Sequence, residues 1–339
     1  MADGASLDKL VAQYFQLVEP RELELPCSSR LVTPAVQRAI FERMFDDARV
    51  SPVPPAGYRS RVLKMIISQI EEAICNPEED EILDDLMNCW SDLVAQPKPS
   101  SLQQAQELAY VKYTAPPHDG DDAARTVITL ESRGLILGSG TTGFRTWEAA
   151  LHLGTFLAIP AGAPIVRSKR VIELGAGTGF VSMFCAKHLG VESVVVTDRE
   201  PALIENIRSC LARNGLDQGV CRPAIWDWGS PLRVTDDGHH DGDSDPLEFD
   251  VALGADLIYD VDLVPLLLST IQDLFTTYRL KEFIISATLR NQDTFQTFLN
   301  ACKSLNLTLE HIQFESPAGS QTGFFHSTSI PIEMYRIKA

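Results

Sequence analysis

Three glycines at alternate positions mark the first place where this sequence can do chemistry. In Val171-Ile172-Glu173-Leu174-Gly175-Ala176-Gly177-Thr178-Gly179 an apolar run enters Gly175, Gly177 and Gly179, and a helical stretch, Phe180–Leu189, follows. Glycine serves where a backbone must turn sharply and let a ligand approach without a Cβ in the way. The spacing is G-x-G-x-G, not the G-x-G-x-x-G that seats a pyrophosphate. Glu173, at the end of the apolar run, is awkward beside a diphosphate but compatible with a cofactor that carries an ammonium and a sulfonium. About 20 residues beyond the glycines, Ser193–Asp198 ends in an acid, the interval for a carboxylate that accepts hydrogen bonds from two ribose hydroxyls. Asp198 has a second possible use, as the cap of the helix expected over Pro201–Asn214.

Two further stretches end in residues able to meet a ligand. Ile225-Trp226-Asp227-Trp228 follows an expected strand at Val220–Ile225. Here Trp228 can stack on an adenine and Asp227 can meet its exocyclic amine. Either indole can equally serve the core, so the choice between Trp226 and Trp228 stays open. Asp250–Tyr259 reads as a buried strand whose end delivers Ala255, Asp256 and Tyr259 to the mouth of a sheet. It lacks the Asn/Asp-Pro-Pro-aromatic pattern of enzymes that methylate nucleobase amines. Upstream, the glycine-rich Gly138–Gly143 leads through Trp147 into a helix.

These residues need a scaffold that brings them to one edge. Short β-rich runs (127–130, 171–173, 193–197, 249–254 and 283–287) alternate with helical stretches, the pattern of a mostly parallel α/β sheet with helices on both faces. Near the end, 305–314 and 327–337 are strand-like with no long helix between them, which predicts an antiparallel strand in that sheet. The first hundred residues differ in texture. Leu7, Leu10, Val11, Tyr14, Leu17 and Val18 recur at helical spacing, as do Val62, Leu63, Ile66, Ile67, Ile70 and Ile74. An N-terminal helical domain over 1–122 and an α/β domain over 123–339 are therefore expected, joined at the acidic, turn-rich segment 115–122.

Composition narrows the function classes. The chain has 339 residues, 45% hydrophobic and 22% charged, and a formal charge of −17. That charge disfavours a general affinity for nucleic acid and suits basic partners or cationic substrates. Seven dispersed cysteines without C-x-x-C spacing indicate reduced thiols and no zinc ligands. No apolar run is long enough to span a bilayer and no secretory signal is visible, so no membrane association and a cytoplasmic location are expected. In the acidic insert 236–248, Asp241, Asp243 and Asp245 hint at a calcium loop. Pro246 stands at its sixth position and Ala252 at its twelfth, where glycine and a bidentate glutamate are needed, so no metal site is assigned.

Together these stretches resemble the seven-β-strand protein-lysine methyltransferases. The Gly140–Leu151 segment, G-T-T-G-F-R-T-W-E-A-A-L, is most similar to the branch that methylates translation elongation factor 2. The resemblance covers residues 126–339 in motif and the N-terminal extension in layout. It implies a Rossmann-like methyltransferase sheet, S-adenosyl-L-methionine as cofactor and a protein substrate, translation elongation factor 2. It also implies a pocket lined by Trp147, Gly175, Ala176, Gly177, Asp198, Trp228 and Ala255, with Asp256 and Tyr259 beside the target lysine. Glu173 and Asp227 join the cofactor set from the residue reading above. A methyltransferase of small molecules or RNA, or a cofactor-binding scaffold without turnover, are the alternatives. A nicotinamide oxidoreductase is disfavoured by the glycine spacing. Oligomeric state is not legible.

Overall fold

The computed structural model describes residues 2–76, 80–97, 100, 103, 107–115, 123–132, 142–232, 247–316 and 324–339. The segment expected to join two domains (from 116 onward), the start of the glycine-rich stretch (138–141) and most of the acidic insert (236–246) lie outside them.

The N-terminal region is helical, as its apolar spacing predicts: α1 (Ala2–Phe15), α2 (Ser28–Leu31), α3 (Pro34–Ile40), α4 (Ala56–Ala73) and α5 (Asp84–Ala95). Proline enters at the first position of α3 and at the residue before α4, where a missing N–H costs nothing. Val62, Leu63, Ile66, Ile67 and Ile70 form the buried face of α4 and meet Leu10 and Tyr14 of α1 in one core. Each such side chain contributes roughly 1.5–3 kcal/mol by leaving water.

A two-stranded antiparallel hairpin follows, β1 (Leu108–Thr114) and β2 (Thr126–Ser132). The sequence pattern places the run 127–130 in the α/β alternation; the structure instead pairs it with β1. The reason lies in its periodicity. Along β2 buried and half-exposed residues alternate, the mark of an antiparallel ribbon with one covered face, whereas the strands of the large sheet are buried almost throughout. The outer edge of β2 is closed by side-chain amides: Asn214 donates to Ile128 O (2.7 Å) and accepts from Ile128 N (2.9 Å), and Asn206 donates to Leu130 O (2.8 Å). An exposed edge is thereby satisfied without a third strand.

The large sheet runs β5 (Cys221–Ile225), β4 (Ser193–Asp198), β3 (Arg170–Leu174), β6 (Val251–Ala255), β7 (Glu282–Thr288), β9 (Ile332–Lys338), β8 (Thr308–His311). All pairings among β3–β7 are parallel, and β9 is antiparallel to both neighbours. This is the seven-stranded methyltransferase order with the single reversed strand that the sequence predicts. The intervening helices are α6 (Glu148–Ala158), α7 (Phe180–His188), α8 (Pro201–Arg213), α9 (Val264–Thr276) and α10 (Gln292–Ser304). The chain winds outward from β3 through β4 and β5, then crosses back to β6 on the other side of β3. That reversal opens a crevice at the carboxyl ends of β3 and β6. One hydrophobic core covers one face of the sheet and continues through the hairpin into the N-terminal helices; a second lies on the other face. Among the described residues no helix is long and apolar enough to cross a membrane, and no cluster of histidines, cysteines and acids could hold a metal ion.

Candidate active site

The carboxyl ends of β3, β4, β5 and β6 stand side by side, so the four sequence stretches converge. After β3 the chain turns through Gly175 (φ 57°) and Gly177 (φ 55°), a left-handed conformation that favours glycine. A Cβ on Gly175 would come within 2.7 Å of Leu257 Cδ2 and 3.6 Å of Trp228. On Gly177 it would stand 3.0 Å from the carbonyl oxygen of Gly143. The loop is thus pressed between the residue after Asp256, the second tryptophan of β5's end and the segment before α6. Ala176 donates to Thr197 O (2.9 Å), tying the loop to β4.

Asp198 closes the loop from the other side. Its Oδ2 accepts from Gly177 N (3.0 Å) and its Oδ1 from Glu200 N (3.1 Å). Burial raises its pKa, against the pull of the backbone N–H groups of Glu200, Gly177 and Arg199. Three N–H donors leave one of its four acceptor positions open, so the carboxylate can still take a hydroxyl. The helix after it is capped at Glu200 without a side-chain bond, so Asp198 orders the loop rather than capping α8.

The two indoles of β5's end separate cleanly. Trp226 is 2% exposed and donates to Ser230 O (2.8 Å), a core position. Trp228 is half-buried beside Gly175, and Asp227 is exposed. Trp147 is half-buried, donates to Thr142 O (3.1 Å), and has the guanidinium carbons of Arg145 and Arg290 at 4.9 and 5.0 Å from its ring centroid.

Glu173 is more deeply placed than the rest of the expected cofactor set. Gly175, Ala176, Gly177, Asp198 and Ala255 are all half-exposed, whereas Glu173 is 3% exposed. Its Oε2 accepts from the amide (2.9 Å) and the hydroxyl of Ser182, in the first turn of α7. Burial pushes its pKa up to about 7, against those two hydrogen bonds. Through Oε2 the carboxyl group fastens β3 to α7, whose first-turn N–H groups lack helical partners.

Asp256 sits at φ 53°, a left-handed conformation unusual for aspartate, immediately after β6. That turn directs its carboxylate across to β7: Oδ1 accepts from Thr288 N (2.7 Å), and Oδ2 from Thr288 Oγ1 (3.0 Å) and Arg290 Nη1 (3.2 Å). Tyr259, three residues on, is 67% exposed and stands free at the rim.

Two residues that the sequence reading did not single out organise this site. Glu131 of β2 is 2% exposed. Its Oε1 accepts from Tyr113 (2.8 Å), Thr129 (2.6 Å) and Thr146 (2.7 Å) hydroxyls, and its Oε2 from Thr146 N (3.2 Å). Thr146 Oγ1 in turn lies 2.6 Å from Thr178 Oγ1, so the hairpin holds the segment before α6 against the glycine loop. The available signal was a lone acid in register with Val127 and Thr129 on the inward face of a β-branched strand. The second residue is Arg290, just past β7, which also pairs with Glu148 Oε2 (2.6 Å). An isolated cation past a buried strand end was its only mark. Beside Glu148 opens a cleft of about 1270 Å³ lined among others by Glu19, Glu22, Glu24, Arg61, Arg145 and His326.

Comparison with known proteins identifies the family. A family model described as lysine methyltransferase matches residues 136–305. The chain is 40% identical over 328 residues to protein-lysine N-methyltransferase EFM3 of Chaetomium thermophilum, covering 96% of each. It is 33% identical to the EFM3 of Saccharomyces cerevisiae, covering 52% of this chain and 53% of that one. It is 29% identical to protein-lysine N-methyltransferase EEF2KMT of Homo sapiens, covering 50% and 53%. The chain therefore belongs to the lysine methyltransferase family, an enzyme family whose methyl donor is S-adenosyl-L-methionine.

Proposed function

We propose that the chain methylates a lysine of translation elongation factor 2, with Asp198, Trp228, Asp227, Trp147, Ala255 and the backbone of Gly175–Gly177 holding the cofactor. The observation that carries the site reading is the junction of Gly175 with Leu257, which stands Asp256 next to the glycine loop. The residues fit the cofactor. Glycine at 175 lets the loop backbone pass close to Leu257 and Trp228, and Asp198 keeps an open acceptor position for a ribose hydroxyl. When bound, S-adenosyl-L-methionine would supply an electrophilic methyl group with a neutral thioether as its leaving group. The protein's contribution is mainly positional, converting an encounter into an aligned pair. Asp256 orients the amine at the carboxyl end of β6 and the exposed ring of Tyr259 forms a wall of its entry. The cleft beside Glu148, with Glu19, Glu22 and Glu24 on its lining, suits a basic substrate segment.

Elongation factor 2 is favoured by the Gly140–Leu151 resemblance and by the relative named EEF2KMT. A mouse relative named EEF1A lysine methyltransferase 3 is 35% identical but covers 38% of this chain. The deciding experiment is incubation with labelled S-adenosyl-L-methionine and purified elongation factor 2 or 1A, followed by mass spectrometry. A methylated lysine in factor 2, lost with Asp198→Ala, is the expected result. Label in factor 1A alone overturns the substrate and leaves the lysine chemistry standing.

A further inference from the structure

A lysine must lose its proton before it can attack, and free lysine titrates near ~10.4. A bare carboxylate beside it would hold the proton on. Asp256 is not bare. The Arg290 guanidinium lies 3.2 Å from its Oδ2 and extends to Glu148 Oε2 at 2.6 Å, while Arg145 reaches Glu148 Oε1 at 3.5 Å. Two acids and two cations form a neutral chain, Asp256–Arg290–Glu148–Arg145, beside Trp147. Asp256 is 11% exposed in its side chain, so the pairing is only partly screened by solvent. Thr288 and Arg290 occupy three of its acceptor positions and leave one on Oδ1.

We propose that Arg290 is a positioning cation that neutralises Asp256, so that the acid orients the substrate amine through its open acceptor site without stabilising the ammonium form. The inference rests on the reading of Asp256 given above. It explains why an acid stands beside an amine that has to become neutral: alone, Asp256 would bind the substrate well and slow its reaction. The same chain of charges pins Arg290 in place, since Glu148 takes the other end of the guanidinium. Other charged or titratable groups face this corner: Asp260 and Tyr259 after β6, Asp198 and Arg199 after β4, and His326 from the C-terminal segment, on the Glu148 side. Among the described residues, Arg290 is the one cation in ion-pair contact with Asp256.

The test is the pH profile of kcat, which reports ionisations in the substrate complex, with elongation factor 2, or with factor 1A if that is the protein labelled above. Arg290→Met unmasks the Asp256 charge and moves the acidic limb upward by roughly one pH unit, the effect of one charge a few ångströms away in a partly wet site. Turnover at pH 7.5 falls about tenfold and recovers as the pH rises. Arg290→Lys keeps the limb in place while losing the second contact to Glu148. In an Asp256→Asn background Arg290→Met produces no further shift. Calorimetric affinity for S-adenosylhomocysteine, read without turnover, is unchanged in Arg290→Met. A loss of rate by one factor at every pH, together with weakened S-adenosylhomocysteine binding, would make Arg290 a clamp on Trp147 and overturn the proposal. An unmoved limb in Arg290→Met, with Asp256→Asn impaired, overturns it while sparing Asp256's role. Full turnover and affinity in Asp256→Asn removes that role itself.

Discussion

Glu131 offers the sharpest test of how the hairpin supports the site. Glu131→Gln keeps the shape and removes the charge and one set of acceptors. With its amide oxygen among the Tyr113, Thr129 and Thr146 hydroxyls, its NH2 group must face the Thr146 N–H that Oε2 accepts at 3.2 Å. Two donors then confront each other in a site 2% exposed. An unsatisfied buried donor costs about 1–3 kcal/mol, and the three hydroxyl bonds lose their charge assistance. A loss of about 2 kcal/mol is expected by urea unfolding, where removing one donor with Tyr113→Phe costs about 1 kcal/mol. The damage is local to the loop before α6, which carries Trp147 and touches Gly177 through Gly143. Affinity for S-adenosylhomocysteine therefore falls about tenfold, or 1.4 kcal/mol, in calorimetry. Stability within 0.5 kcal/mol of the parent and unchanged affinity, or equal costs for the two variants, would refute the hub.

The two tryptophans of β5's end should part company. Trp226→Ala lowers stability by about 3–5 kcal/mol in urea, as core aromatics do; Trp228→Ala weakens cofactor binding with a much smaller effect on stability. The reverse pattern would exchange their roles. Two buried groups set opposing pH dependences. Glu173, with its pKa raised to about 7 from 4.5, favours the folded state at low pH, and that contribution is lost as the pH rises from about 4.5 to about 7. His152 is pushed down to about 4 from 6.5 by burial and by His326, so its contribution is lost as the pH falls from about 6.5 to about 4. Glu173→Gln should remove the first slope, worth up to about 3 kcal/mol, and expose the second. Urea unfolding of parent and variant at pH 5, 6, 7 and 8 checks this, and parallel curves would refute it.

The legible parts of this protein are those written in local pattern. Strand ends bearing Gly175, Asp198 and Ala255 announce themselves because buried parallel strands are continuous apolar runs, and the glycines mark where such a run must turn. The helical stripes of α1 and α4 are equally plain. What escaped depends on partners distant in sequence. The run 127–130 reads as one more strand of the main sheet until its partner Leu108–Thr114 is known, because alternation over four residues does not name a neighbour. Glu173 shows itself as a ligand candidate from its place at a strand end, but the hold of its Oε2 on Ser182, nine residues on, is not legible there. Arg290 gains its meaning only from Asp256 and Glu148, 34 and 142 positions away. The choice between Trp226 and Trp228 turned on which indole was itself buried with a carbonyl in reach.

The seam between α8 and the hairpin has a chemical consequence for the protein's lifetime. Asn214 precedes Gly215, the pair in which an asparagine side chain is most readily attacked by the following amide nitrogen and converted to aspartate or isoaspartate. Here that side chain is held by Ile128 on both its backbone groups and by Cys210 O (2.9 Å), while Gly215 N is bonded to Ala212 O (3.1 Å). Ring closure requires the seam to open, so ageing at this asparagine proceeds at the pace of local unfolding rather than of the free peptide. Each conversion then removes the amide donor to Ile128 O and sets a negative charge in its place, which hinders the edge of β2 from closing again. The hairpin that carries Glu131 is thus guarded by the same bond whose chemical loss would gradually retire the enzyme.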